Sequence, residues 1–261
     1  MFASAVVYLG LTVAFVGLLL VLTPIRRLRI GTRRRAAIVG LAGVAVAGIG
    51  FVLPAAESRT ARVATHLDEF APSWQFRELH TIRIAAPPRR VFEAIRRVTA
   101  DEIVFFRTLT WIRRAGRPLP PGILNAGGHE PLIDVALRGG FVRLADDAPR
   151  ELVIGTVVMA PPATRGILTP QVFQRSLPPG FALAAMNFLV TPDGSNGSVV
   201  STETRVFANS PSARRRFAAY WRIIYPGSAI IRRMWLRAIR QRATAPDRTG
   251  LGRPDPTPQP R

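Results

Sequence analysis

Two charge-free runs open this chain. No charged side chain occurs in residues 1–25, and residues 5–23 read AVVYLGLTVAFVGLLLVLT. A second uncharged run, 36–56, reads AAIVGLAGVAVAGIGFVLPAA. About 20 apolar residues in a helix span the hydrocarbon of a bilayer, so residues 1–56 are expected to form a transmembrane hairpin. A cleaved signal peptide would need a basic stretch before the first run and a small-residue cleavage site after it. Here the start is uncharged, and Pro24 and arginines follow. A buried core helix would show a polar face, which the second run lacks. Its Gly43 and Ala47 stand one turn apart, the spacing that lets two membrane helices approach closely.

The charge is placed unevenly. Arg26, Arg27, Arg29, Arg33, Arg34 and Arg35 separate the two runs, and no acid precedes Glu57. The formal net charge is +20, carried by Arg with no Lys. Codon bias in a GC-rich, bacterial-type genome accounts for the choice of Arg, and the excess itself suits an anionic bilayer surface. Under the positive-inside rule the Arg-rich loop stays in the cytoplasm. Both ends of the hairpin, and the domain that follows, are then expected outside it. There is no cysteine, which excludes disulfides and thiolate chemistry.

Beyond the hairpin the expected order is a linker over 57–76 and a strand at Leu79–Ala85. Pro87-Pro88 starts a helix carrying Val91, Phe92, Ile95 and Val98, and a second helix runs from Thr99 to Ile112. Strands are expected at Leu132–Leu137, Phe141–Ala145, Glu151–Met159, Phe181–Val190 and Ser198–Ala208, with one more around Leu168–Phe173. Ser210-Pro211 opens a long helix, which Pro226-Gly227 is expected to interrupt and Ser228 to re-cap. Residues 244–261 are Pro-rich, an expected disordered tail.

The stretch Ile82-Arg-Ile-Ala-Ala-Pro-Pro-Arg-Arg-Val91-Phe92-Glu-Ala-Ile95, with this order of elements, resembles the SRPBCC (START-like, polyketide cyclase-like) helix-grip superfamily over about residues 77–243. The resemblance implies an α+β fold: two transmembrane helices, then a curved antiparallel sheet around a long C-terminal helix, with an apolar cavity between sheet and helix. It implies a hydrophobic or amphipathic, lipid-like small molecule as ligand. The two-span anchor is a departure from that superfamily.

If the resemblance holds, one face of each strand lines the cavity. Glu203 and Arg205 share a face of the last strand, about 7 Å apart, and are expected either as a solvated ion pair or as a polar pair orienting a ligand. Asn187, among Leu183, Ala185 and Leu189, is a satisfied core amide or a third polar contact. Tyr220, Trp221 and Ile224 on the long helix, with Phe105 and Phe106 on the second helix, are core residues or ligand wall. Arg107 and Arg232 are expected as snorkelling surface arginines, or as partners of carboxylates or lipid phosphates. His66, His80 and His129 show no ligand spacing, so no metal and no cofactor are expected. Phosphate-loop, nucleophile-elbow and zincin motifs are absent, and a tethered extracytoplasmic domain does not suit nucleic acid. An enzyme using Glu203 as general base near Arg205 and Tyr220, and a module that binds a protein partner, stand as alternatives.

Overall fold

The computed structural model describes residues 2–23, 32–120, 122–162, 164 and 169–246. Arg26, Arg27, Arg29, Leu168 and the tail from residue 247 lie outside the described residues. The architecture is α+β: two N-terminal apolar helices, a five-stranded antiparallel sheet and a long C-terminal helix.

Helices α1 (Phe2–Leu22) and α2 (Arg33–Val52) are each long and apolar enough to cross a membrane. They pack antiparallel through small residues: Val7 meets Gly50, Gly10 meets Ala47, Ala14 meets Gly43 and Gly17 meets Gly40. The approach is so close that a Cβ on Gly43 would lie 2.3 Å from the Ala14 nitrogen. The other faces leave Leu9, Phe15, Leu41 and Ile49 exposed, unlike a core helix. Thr32 caps α2 by accepting from the Arg35 N–H.

Residues 57–76 fold onto the domain as β1 (Ser58–Arg59), helix α3 (His66–Phe70) and β2 (Ser73–Trp74). Strand β3 (Phe76–Ile84) follows, then α4 (Pro88–Arg97), with Pro88 at its first turn. The helix expected from Thr99 is split. A 3-10 turn, Ala100–Glu102, is held by a Thr99–Glu102 capping box. Phe105 then takes a left-handed conformation (φ 63°), and α5 (Phe106–Arg113) begins anew.

The segment expected as a strand at 132–137 is instead helix α6 (Leu132–Arg138). Leu132, Ile133 and Ala136 fall on one helical face and are buried. The Leu132 N–H bonds to the Val98 carbonyl at 2.8 Å, and Gly139 ends the helix. Strands β4 (Val142–Asp147), β5 (Glu151–Met159), β6 (Ala182–Asp193) and β7 (Gly197–Ala208) complete a sheet ordered β3-β7-β6-β5-β4. Pro170–Phe173, inside another expected strand, is a 3-10 turn.

Helix α7 (Pro211–Thr244) runs unbroken for 34 residues, roughly 50 Å at 1.5 Å per residue. Its N-terminal half packs Phe217, Ala218 and Trp221 on Phe76, Ala184 and Val206. Its C-terminal half packs Trp235, Leu236 and Ile239 with Phe92, Ile95 and Phe188. The expected break at Pro226-Gly227 does not occur. Proline cannot donate to the carbonyl four residues back, here that of Arg222, and the Tyr8 hydroxyl of α1 donates to it instead at 2.7 Å. The Arg222 guanidinium reaches the opposite way, donating to the carbonyls of Phe51 and Leu53, each at 2.7 Å. These lie at the C-terminal end of α2, where carbonyls lack intrahelical donors and the helix dipole favours a cation. One residue thus holds both hairpin helices to α7. Tyr8→Phe should lower the melting temperature of the detergent-solubilised full chain by a few degrees. That follows from the loss of one hydrogen bond worth about 1 kcal/mol.

Candidate ligand-binding cavity

The side chain alternation of the sheet decides what can face α7. Phe76, Glu78 and His80 of β3 point to the same side as Thr204 and Val206 of β7 and Ala184 and Met186 of β6, because their registers pair directly. Across from them stand Phe217, Tyr220, Trp221, Ile224, Ser228 and Arg232 of α7. Between these layers lies a partly open cavity of about 490 Å³, flanked by Leu119, Ile123 and Phe141, with Arg113 of α5 in its rim. The small side chain of Ala184 leaves room where a larger one would fill it. The volume falls in the range of small-molecule sites.

A few polar groups interrupt the apolar lining. Glu78 is 2% exposed; it accepts from the Ser228 hydroxyl at 2.8 Å and lies 2.9 Å from His80 Nε2. The carboxylate stands between hydroxyl and imidazole, so Ser228 has no imidazole base and is not set up as a nucleophile. Arg232 is half-buried and lines the cavity. It touches the Met186 sulfur and lies over the Trp235 ring, 5.5 Å from its centroid. Burial lowers its pKa to about 10; the negative charge of Glu78 opposes the shift and the positive charge of Arg113 adds to it. Arg113 donates to the Tyr220 hydroxyl through Nε at 2.9 Å and Nη2 at 2.5 Å. Among the described residues neither Arg113 nor Arg232 has a carboxylate within ion-pair distance.

Of the residues singled out in the sequence, Tyr220, Trp221 and Ile224 line the cavity. Phe106 is buried in the core below α4, and Phe105 is exposed. Asn187, Glu203 and Arg205 do share a face, but it is the opposite one, so of the two readings open for them the ligand contact gives way to an ion pair and a bonded core amide. There the 57–76 segment covers them. Arg205 donates to Glu203 at 2.6 Å and to Asp68 at 2.8 Å, and lies 4.2 Å from the Trp74 ring centroid. Arg77 adds a bidentate pair to Glu203, at 2.7 and 3.1 Å. Asn187 donates to Glu151, which also accepts the His66 and Leu67 N–H groups of α3. Burial pushes the Glu203 pKa up, but the hydrogen bonds from Arg77 and Arg205 outweigh it and hold it below the usual carboxylate range. A carboxylate this acidic, with both oxygens engaged, is a poor general base. The trio fastens the cover to the sheet.

Glu78, Ser228 and Arg113 were not anticipated as site residues, and Arg232 is a half-buried cavity residue, not a snorkelling surface arginine. Arg107 is exposed and paired with Asp101 at 2.8 Å. A signal for Glu78 was present: in FRELHTIRI, Glu78 and His80 fall in phase with Phe76, Ile82 and Ile84. A charged residue in the apolar phase of a strand is either paired or functional. No protein-family model matches this chain, and no curated protein matches it.

Proposed function

We propose that this chain is a membrane-anchored helix-grip domain that binds a hydrophobic or amphipathic small molecule between its sheet and α7. The observation that carries this reading is the cavity of about 490 Å³, walled by Phe217, Trp221, Ile224, Met186 and Val206. Concave, mostly apolar sites with few polar groups are the usual form of a small-molecule site. The anchor supports a ligand drawn from the bilayer. The exposed apolar faces of α1 and α2 run as far as Val52, next to the Arg222 contact with α7. Beside the cavity rim, α5 exposes Trp111 and Ile112, as suits a surface that meets lipid. The domain attaches at the Tyr8 and Phe51 end of the hairpin, and Arg33, Arg34 and Arg35 stand at the other end of α2. With these arginines in the cytoplasm the cavity faces outward.

Native mass spectrometry of the full chain, extracted from membranes in dodecyl maltoside, tests the reading. The wild type should carry a bound lipid-sized molecule at near one per chain. Ala184→Trp should cut that occupancy at least tenfold, by filling the space beside the 8%-exposed Ala184. A wild type that carries nothing, or an Ala184→Trp protein of unchanged melting temperature that keeps its ligand, would sink the proposal.

A further inference from the structure

The two guanidinium groups at the cavity are hard to explain as scaffold. Arg113 and Arg232 both line the cavity, and among the described residues neither has a carboxylate within ion-pair distance. A guanidinium among apolar side chains pays for lost water unless an anion bonds it directly, and Glu78 favours the Arg232 charge only from beyond ion-pair distance. The one carboxylate lining the cavity, Glu78, is engaged by Ser228 and His80 instead. Tyr220 is held by Arg113 at the rim, so its hydroxyl sits beside the same charge. Guanidinium groups bind carboxylate and phosphate oxygens through paired N–H donors. Resting on the cavity reading above, we infer that the ligand is an anionic amphiphile. Its carboxylate or phosphate head is held between Arg232 and Arg113, and its apolar chain lies against Phe217, Trp221 and Ile224.

The test uses three molecules with one C18 chain and different heads: oleate, 1-oleoyl lysophosphatidate and uncharged oleyl alcohol. Each is titrated onto the delipidated full chain in dodecyl maltoside and read by native mass spectrometry. At least one anion should bind tenfold or more tightly than the alcohol, and the stronger of the two identifies the head as carboxylate or phosphate. Arg232→Gln should weaken that anion about tenfold and leave the alcohol unchanged, and the rim variant Arg113→Gln should act in the same direction. If Arg232→Gln does not fold, Arg113→Gln alone decides, because its side chain is exposed. Equal affinity for all three would overturn the anion inference while leaving the cavity reading standing. So would an anion preference untouched by both variants. Failure of all three to bind would bring down both.

Discussion

Arg205→Met in the full chain should lower its melting temperature by about 10 °C, measured by near-ultraviolet circular dichroism in detergent. The side chains of Arg205 and Asp68 are each 7% exposed and that of Glu203 is 11%, so methionine would leave Asp68 without its cation and Glu203 with Arg77 alone, with little water in reach. Breaking a buried pair from one side costs about 3–5 kcal/mol, and each kcal/mol moves the transition of a protein this size by roughly 2–4 °C. The same pair gives the effect a pH dependence. Burial would raise the Asp68 pKa, but the Ala64 N–H, the Arg205 guanidinium and Thr65 together lower it to about 2. A depressed native pKa adds stability that is complete above the unfolded value near 4 and is lost as pH falls towards 2. The gap between wild type and Arg205→Met should therefore be widest at pH 7 and narrow below pH 4. A gap constant from pH 7 to pH 3 would show that the pair contributes little.

The second large effect belongs to the hairpin. Gly43→Leu should separate α1 from α2, whereas Gly48→Leu should be neutral. A Cβ at Gly43 meets the Ala14 nitrogen at 2.3 Å and the Gly10 carbonyl at 2.7 Å, both backbone atoms that cannot swing aside. At Gly48 nothing lies within 4 Å. Membrane helices gain their association from close packing, not from a hydrophobic drive between them, so lost contact is not recovered elsewhere. The absence of cysteine allows spin labels to be placed cleanly at Leu18→Cys and Ile38→Cys, both exposed positions. Their distance distribution should be narrow in the Gly48→Leu background and broad or long with Gly43→Leu. Two similar distributions would refute the packing argument.

How far the sequence could be read depended on whether local pattern or tertiary context decided each element. The two apolar helices, strand β5 at Glu151–Met159 and the start of α7 at Ser210-Pro211 follow from composition, alternation and capping, all local. Leu132–Leu137 was misread because a short apolar run with one acid fits strand or helix equally. Its neighbours Val98 and Gly139 decided for helix. That Glu203 and Arg205 share a face is legible in the strand, but which side of the sheet that face meets is not. Period-two alternation says which residues go together, not which way they point, and here both sides of the sheet are covered. The polar end of the cavity stayed hidden because Glu78, Arg113, Ser228 and Arg232 come from three separate elements. Pro226 misled for the same reason: the donor that lets α7 pass through it, the Tyr8 hydroxyl, lies 214 positions in the chain from the Arg222 carbonyl it bonds.

That last contact also bears on how the protein can be handled in the laboratory. Excising residues 1–56 to obtain a water-soluble fragment would strip the Arg222 carbonyl of the Tyr8 hydroxyl, and its guanidinium of both the Phe51 and Leu53 oxygens. The helix that walls the cavity would then carry a proline with nothing bridging the gap in its ladder. The hairpin is in this sense part of the domain's own fold, and a truncated version is a different molecule along one wall of the cavity.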